Sequence, residues 1–297
     1  MSAKACREYH GKQLLAKYVK EVSSKNGDPI EVDSRAALIS PETNLEDLIA
    51  EKLWLADGST KLVVKPDQLI KRRGKAGLVG VNLTFAEVKE WIAERMQKDI
   101  TVEGVTGLLE HFIVEPFVPH KDEEEHYVCI ISNGSGEEIL FYHGGGVDVG
   151  DVDSKASKLQ IDIDANADET EIVQQLLQQI PESKQTALAR FIWCLFKVYR
   201  MLNFTYMEIN PLVMTESGGI FPLDLAAKID ETASFLCATK WGHIDFPAPF
   251  GRKASVLLVY NDSYISQLFS NEEVFHNFRN FPRKRTLENL TARLVPV

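Results

Sequence analysis

What the sequence lacks narrows its class before any motif is read. Its four cysteines, Cys6, Cys129, Cys194 and Cys237, are scattered without a Cys-x-x-Cys pair. That argues against a disulfide framework and for a reducing compartment. No apolar run is long enough to span a bilayer. The N-terminal stretch MSAKACREYHGKQ has no hydrophobic signal segment, so the expected location is cytoplasmic. Positive charge is in deficit: 33 Lys and Arg stand against 43 Asp and Glu, a net charge of -10. This weighs against general nucleic-acid binding and against an anionic membrane surface. No internal repeat is evident. What remains is an ordinary globular composition, 44% hydrophobic and 26% charged over 297 residues. That is enough chain for two domains, or one large one, with a sizeable core.

Against this acidic background the stretch from Lys61 to Asn82, KLVVKPDQLIKRRGKAGLVGVN, is a concentrated basic exception. Leu62-Val63-Val64 reads as a buried strand that ends on Lys65, because Pro66 prevents a helix from starting there. A dense turn, Lys71 to Gly77, leads to a second apolar strand, Leu78 to Val81. Two strands around a loop of glycines and cations can close over polyphosphate, with Gly74 and Gly77 letting the backbone approach the anion. The same residues also fit a solvated hairpin with cations at its tip.

Elsewhere, Glu8 to Val22 has helical spacing, with Leu14, Leu15, Tyr18 and Val22 on one side. Asn26-Gly27-Asp28-Pro29 is a turn. Thr43-x-x-Glu46 and Thr84-x-x-Glu87 read as capping boxes that open helices to Leu53 and to about Lys98. Leu108 to Val114 reads as a strand running into Glu115-Pro116-Phe117-Val118-Pro119. Its two prolines stiffen the chain, either to line a flat pocket for a purine or simply to link two lobes. Tyr127–Ile131 and Glu138–Tyr142 form a hairpin about Asn133-Gly134-Ser135-Gly136. The aspartates of 147–153 resemble a calcium loop but lack the EF-hand glycine and glutamate, so a flexible acidic loop is expected. A polar stretch with a surface helix spans Ala165 to Ser183. Gln185 to Leu202 carries one apolar stripe and reads as a core helix. On the strand Phe204 to Val213, Glu208 and Asn210 share a face. After the turn at Ser217-Gly218-Gly219, a strand from Ile220 to Leu225 brings Asp224 alongside. These hard oxygens are of the kind magnesium prefers when it also holds phosphate; the alternative is a solvated hairpin face, which the apolar flanks disfavour.

Taken together, the basic loop, the rigid Pro-rich segment and the carboxylate-amide-carboxylate group have the order of an α+β ATP-grasp fold, in which two lobes hold ATP between them. Residues 63–75, 115–120 and 208–212 resemble the N-terminal part of the ATP-citrate lyase family. Residues 145–153, 223–228 and 246–252 add to the match. More distantly, the region resembles the succinyl-CoA synthetase β subunit. The resemblance covers about residues 1–252, with a hinge near 115–119. It leaves 253–297 as a divergent tail, expected to be poorly ordered, whose Arg283-Lys284-Arg285 reads as a solvated charge run.

The resemblance implies that Lys65, Arg73 and Gly74 contact ATP phosphates, that Pro116 and Val118 bracket adenine, that Glu125 holds the ribose, and that Asn210 and Asp224 bind Mg2+. It implies transfer of the γ-phosphoryl group to a histidine, then to citrate, with acetyl-CoA and oxaloacetate as products in a homo-oligomeric enzyme. None of the seven histidines lies in the family's Gly-His-Ala-Gly setting, and the CoA and citrate portions are not recognisable. The chain alone is therefore not expected to complete citrate cleavage. Remaining lyase portions, or a second chain carrying the phosphohistidine, are the implied partners. A non-catalytic regulatory fragment and a synthetase-like β subunit are the alternatives. Gly144 departs from the family, which usually has glutamate there.

Overall fold

The computed structural model describes residues 3–146 and 152–252. Its larger sheet is drawn from both ends of that span. Strand β1 (Ala3–Ala5) pairs with β13 (Leu225–Asp230). Next come β11 (Phe204–Met214), β8 (Glu125–Asn133), β9 (Gly136–Tyr142) and β10 (Ser157–Asp162), with β12 (Ile220–Pro222) paired to the end of β11. All neighbours are antiparallel. Because side chains alternate along a strand, Val128, Ile130, Ile139, Phe141, Met207 and Ile209 face one core. Helices α1 (Glu8–Lys25), α5 (Glu169–Leu176) and α6 (Glu182–Met201) cover it. The α6 stripe of Leu188, Phe191, Ile192, Leu195, Val198 and Tyr199 is fully buried there. Each such side chain contributes about 1.5–3 kcal/mol of burial. The opposite face carries Tyr127, Cys129 and Leu140; Glu208 and Asn210, alternating with buried Met207 and Ile209, are only half-buried.

The smaller sheet has the order β2 (Ala37–Ile39), β7 (Phe112–Pro116), β3 (Leu62–Pro66) and β4 (Gly80–Leu83). Leu62, Val64, Phe112 and Val114 pack with Phe85, Val88 and Ile92 of α3 (Phe85–Ala93) to make a second core. The Thr84–Glu87 capping box opens α3 as expected. Residues 117–124 connect β7 to β8 and so join the two sheets. A later segment also runs between the cores. After α7 (Ser234–Trp241), Ile244 and Phe246 pack on the larger core and Phe250 on the smaller. Gly251 lies so close to Val105 and Thr106 that a Cβ there would meet Val105 Cγ1 at 2.5 Å.

Several boundaries differ from expectation, each for a physical reason. The helix α2 (Leu45–Glu51) is capped by Asn44, whose Oδ1 accepts from the Glu46 and Asp47 amides, and not by Thr43. Thr43 Oγ1 instead accepts from Ser40 N. The second strand of the basic hairpin starts at Gly80, because pairing with β3 aligns Val64 with Gly80 and Leu62 with Leu83. The helix α3 ends at Ala93, and a hairpin of β5 (Asp99–Val102) and β6 (Val105–Leu108) follows. The strand expected over Leu108–Val114 is thus divided between β6 and β7. The acidic loop at 147–151 and the stretch 253–297 lie outside the described residues; α4 (Val152–Lys155) follows the loop. Among the described residues no helix is long and apolar enough to cross a membrane.

Candidate functional site

The basic hairpin divides its cations. Lys71, Arg72 and Lys75 are exposed on the turn, whereas Lys65 and Arg73 are buried. Gly77 takes φ 67°, where its missing Cβ matters. Gly74 is exposed, and its carbonyl accepts from Gly77 N at 3.1 Å. Lys65 Nζ donates to Glu8 Oε1 and to the Leu223 carbonyl, both at 2.6 Å. Arg73 donates through Nη1 to the Pro66 carbonyl and through Nη2 to Glu8 Oε2 and Asp224 Oδ1, all at 2.6 Å. Lys12 Nζ donates to Glu115 at 2.7 and 2.8 Å and to the Leu223 carbonyl at 2.9 Å, and pairs with Glu8 at 2.8 Å. Three cations and three carboxylates thus meet where the smaller sheet's hairpin reaches the β12–β13 bend of the larger sheet.

Charge in this cluster is fixed by its partners. Burial alone would raise the Glu8 carboxyl, but Lys12, Lys65 and Arg73 outweigh it and hold it far below the ordinary carboxylate range. Burial would lower Lys12 and Arg73, yet Glu115 with Glu8, and Asp224 with Glu8, raise them. Beside them Asp67 is pushed up to about 6, first by burial and then by the Glu8 charge. Its carboxylate accepts from the Glu8 and Tyr9 amides at 2.8 and 3.0 Å and so caps α1 from the other sheet's loop.

A second group surrounds the start of β8. His120 bridges the Val118 carbonyl, 2.7 Å from Nδ1, and Glu125 Oε1, 3.0 Å from Nε2. Gly145 N donates to the Glu125 carbonyl at 2.7 Å, and Gly146 N to Asn210 Oδ1 at 2.8 Å. Gly146 takes φ 95°, which L side chains rarely adopt, and a Cβ there would also push aside Glu125 Oε2, 2.2 Å away. A Cβ at Gly144 would meet the Tyr142 ring at 3.1 Å. Asn210 links the two groups, because its amide donates to the Asp224 carbonyl at 3.1 Å.

The structure therefore brings Lys65, Arg73 and Asp224 into one cluster, and Val118, Glu125 and Asn210 into an adjoining one. Pro116 ends β7 opposite Leu62. Gly74 stays out on the turn. Sequence reasoning missed Glu8, Lys12, Asp67 and Glu115. Glu8 and Lys12 stand one helical turn apart on a face otherwise read as core, and that i, i+4 charge pair was the available signal.

Two antiparallel sheets, each layered with helices and meeting at a basic hairpin and a carboxylate-bearing bend, form an α+β protein of the ATP-grasp class. A family model described as the ATP-citrate synthase ATP-grasp domain matches residues 2–241, and the chain belongs to that family. It is 51% identical over 254 residues to ATP-citrate synthase of Bos taurus, covering 86% of this chain and 22% of that protein. To the probable ATP-citrate synthase subunit 2 of Schizosaccharomyces pombe it is 41% identical over 283 residues, covering 86% of this chain and 57% of the relative. Among solved structures it resembles ATP citrate lyase from Methanothrix soehngenii, determined with citrate and coenzyme A. That likeness has a TM-score of 0.77 and 35% identity, over 90% of this chain and 60% of the other. The chain thus spans between about a fifth and three-fifths of these relatives' lengths.

Proposed function

We propose that residues 1–252 form the nucleotide-binding portion of an ATP-citrate lyase. It binds ATP with Mg2+ between its two sheets, with the segment 115–119 as the hinge. In the full reaction the γ-phosphoryl group goes to a histidine on another portion of the enzyme, in the cytoplasm. The observation that carries this reading is the contact of Arg73 with Asp224 and of Lys65 with the adjoining Leu223 carbonyl. Cations from the smaller sheet's hairpin already reach the bend of the larger sheet that carries this hard-oxygen ligand. In a buried setting such charges act on a phosphate far more strongly than in water.

The residues present suit the metal. Asp224 has a side chain 41% exposed, and Asn210 adjoins it through its backbone. Among the described residues no three His, Cys, Asp or Glu gather to hold an ion by themselves. Magnesium typically takes one or two protein oxygens and completes its shell with phosphate and water. Asn210 and Asp224 would hold it, and bound there it would supply neutralising charge to the phosphates. Lys65 and Arg73, with Gly74 on the turn, would meet the phosphates. Pro116 and the Val118 carbonyl would line the adenine edge, and Glu125 would accept from the ribose hydroxyls. The relatives' identity supports the lyase reading over a succinyl-CoA synthetase β subunit.

Calorimetry on the full chain tests this. Saturable binding of ATP is expected with magnesium, much weakened by chelation and by Asp224→Asn. A folded wild-type chain that takes up no MgATP at millimolar concentration would overturn the proposal.

A further inference from the structure

Glu8 lies 57 residues before Lys65 and 65 before Arg73 in the chain, yet it is where both side chains end. We infer that Glu8 and Lys12 are positioning residues for the nucleotide. Glu8 aims the two phosphate-seeking cations, and Lys12 ties that pair to the residue preceding the base-lining segment. The inference rests on the nucleotide reading above and concerns how that site is held in shape.

The geometry is specific. Glu8 divides its two oxygens, Oε1 to Lys65 and Lys12 and Oε2 to Arg73. Its own amide is held by Asp67, which lies between those two cations in sequence. Three residues within 65–73 thus grip one residue of α1, through side chain and backbone together. An ammonium has three donors, and Lys12 directs its nitrogen at three partners: Glu8, Glu115 and the Leu223 carbonyl. Glu115 directly precedes Pro116. The first turn of α1 therefore touches the phosphate side of the site through Glu8 and the base side through Lys12.

Charge and committed partners, and not burial, separate this role from ligand contact. The Glu8, Lys12, Lys65 and Arg73 side chains are all no more than 9% exposed. The Glu8 carboxylate, however, repels a polyphosphate, and Lys12 has its three donors taken up by Glu8, Glu115 and the Leu223 carbonyl. Asp224, the other partner of Arg73, is the accessible one. An incoming polyphosphate can replace Asp224 on Arg73 while Glu8 keeps the guanidinium in place. A lysine or arginine fixed in advance does not have to be ordered when the anion arrives, which improves affinity without a new contact.

The test titrates the full chain with MgATP by calorimetry and with adenosine, which has no phosphate, by ligand-observed NMR. Thermal melting serves as the check of folding. Glu8→Gln is expected to weaken MgATP about 10- to 100-fold and to leave adenosine within about twofold. Glu8→Asp, which keeps the charge but shortens the reach, is expected to fall between, and it replaces Glu8→Gln if that variant does not fold. Lys12→Met is expected to weaken both ligands together. Glu8 variants that bind MgATP like wild type, or that lose both ligands in equal proportion, overturn the inference. If at the same time Lys65→Gln still weakens MgATP, the nucleotide reading survives and only the role of Glu8 is lost. A wild-type chain that binds neither ligand overturns both.

Discussion

Arg72 and Arg73 are neighbours in sequence and opposites in setting. Arg72 is 70% exposed and pairs with Glu103, itself 53% exposed, at 3.0 Å. Arg73 is 9% exposed and spans Glu8 and Asp224 at 2.6 Å. The bond lengths differ little, but the energetic weights do not follow the lengths. Water and salt screen the outer pair. Removing Arg73 would leave two carboxylates without their shared cation, one of them deeply buried. The basic turn is thus both things its sequence allowed, a solvated tip and an inward-facing cation, and the boundary between them falls between adjacent residues.

The comparison can be broken or sharpened by stability measurements. Arg73→Ala is expected to cost about 3–5 kcal/mol in urea unfolding. A loss as small as that for Arg72→Ala would erase the distinction. The next largest effect is a pH dependence at Asp67. With its carboxyl pushed up to about 6 by burial and by Glu8, the folded chain keeps a proton that the unfolded chain has already released. Asp67's contribution is therefore most favourable at low pH. It declines as pH rises from about 4 to about 6, by on the order of 2–3 kcal/mol. Asp67→Asn should remove this slope. His10, His111 and His126, whose burial lowers them, tilt stability the other way, so the difference between wild type and Asp67→Asn isolates the carboxyl. Glu8, held far down, contributes fully above about pH 4.5 and begins to lose that contribution only as pH falls toward 4. A difference curve that is flat from pH 4 to 7 would count against the buried charge of Asp67.

Smaller still is the helix cap on the exposed side. Thr84→Ala should cost about 1 kcal/mol, with no pH slope of the Asp67 kind. Smallest is Arg72→Ala, expected within about 0–1 kcal/mol and further reduced by added salt.

What was legible in the sequence was local. The α6 stripe, the Thr84–Glu87 box and the β8–β9 turn each carry their signal within a few residues. The alternation of Met207, Glu208, Ile209 and Asn210 also put the polar pair on one face, as found. What was hidden depends on partners far along the chain. The register of β4 was decided by its pairing with β3 and not by the apolar run at Leu78. The β5–β6 hairpin had a usable cue in Glu103-Gly104, which take φ values of 50° and 80° and make the kind of two-residue turn that favours glycine. Glu8 and Lys12 had no motif, because their meaning comes from Lys65, Arg73 and Glu115, up to 103 residues away.

The segment after Trp241 has a practical bearing on fragment borders. The family model stops at residue 241, but neither the likeness to relatives, which spans 86% of the chain, nor the fold ends there. Asp245 still pairs with Arg7, which in turn donates to the Asp67 carbonyl, and Phe250 still packs on the smaller core. A shortened version cut at 241 would retain every strand and helix named here. It would also present two bare apolar sockets and an uncompensated arginine at the base of the first helix, so the shortest version worth handling should run through Gly251.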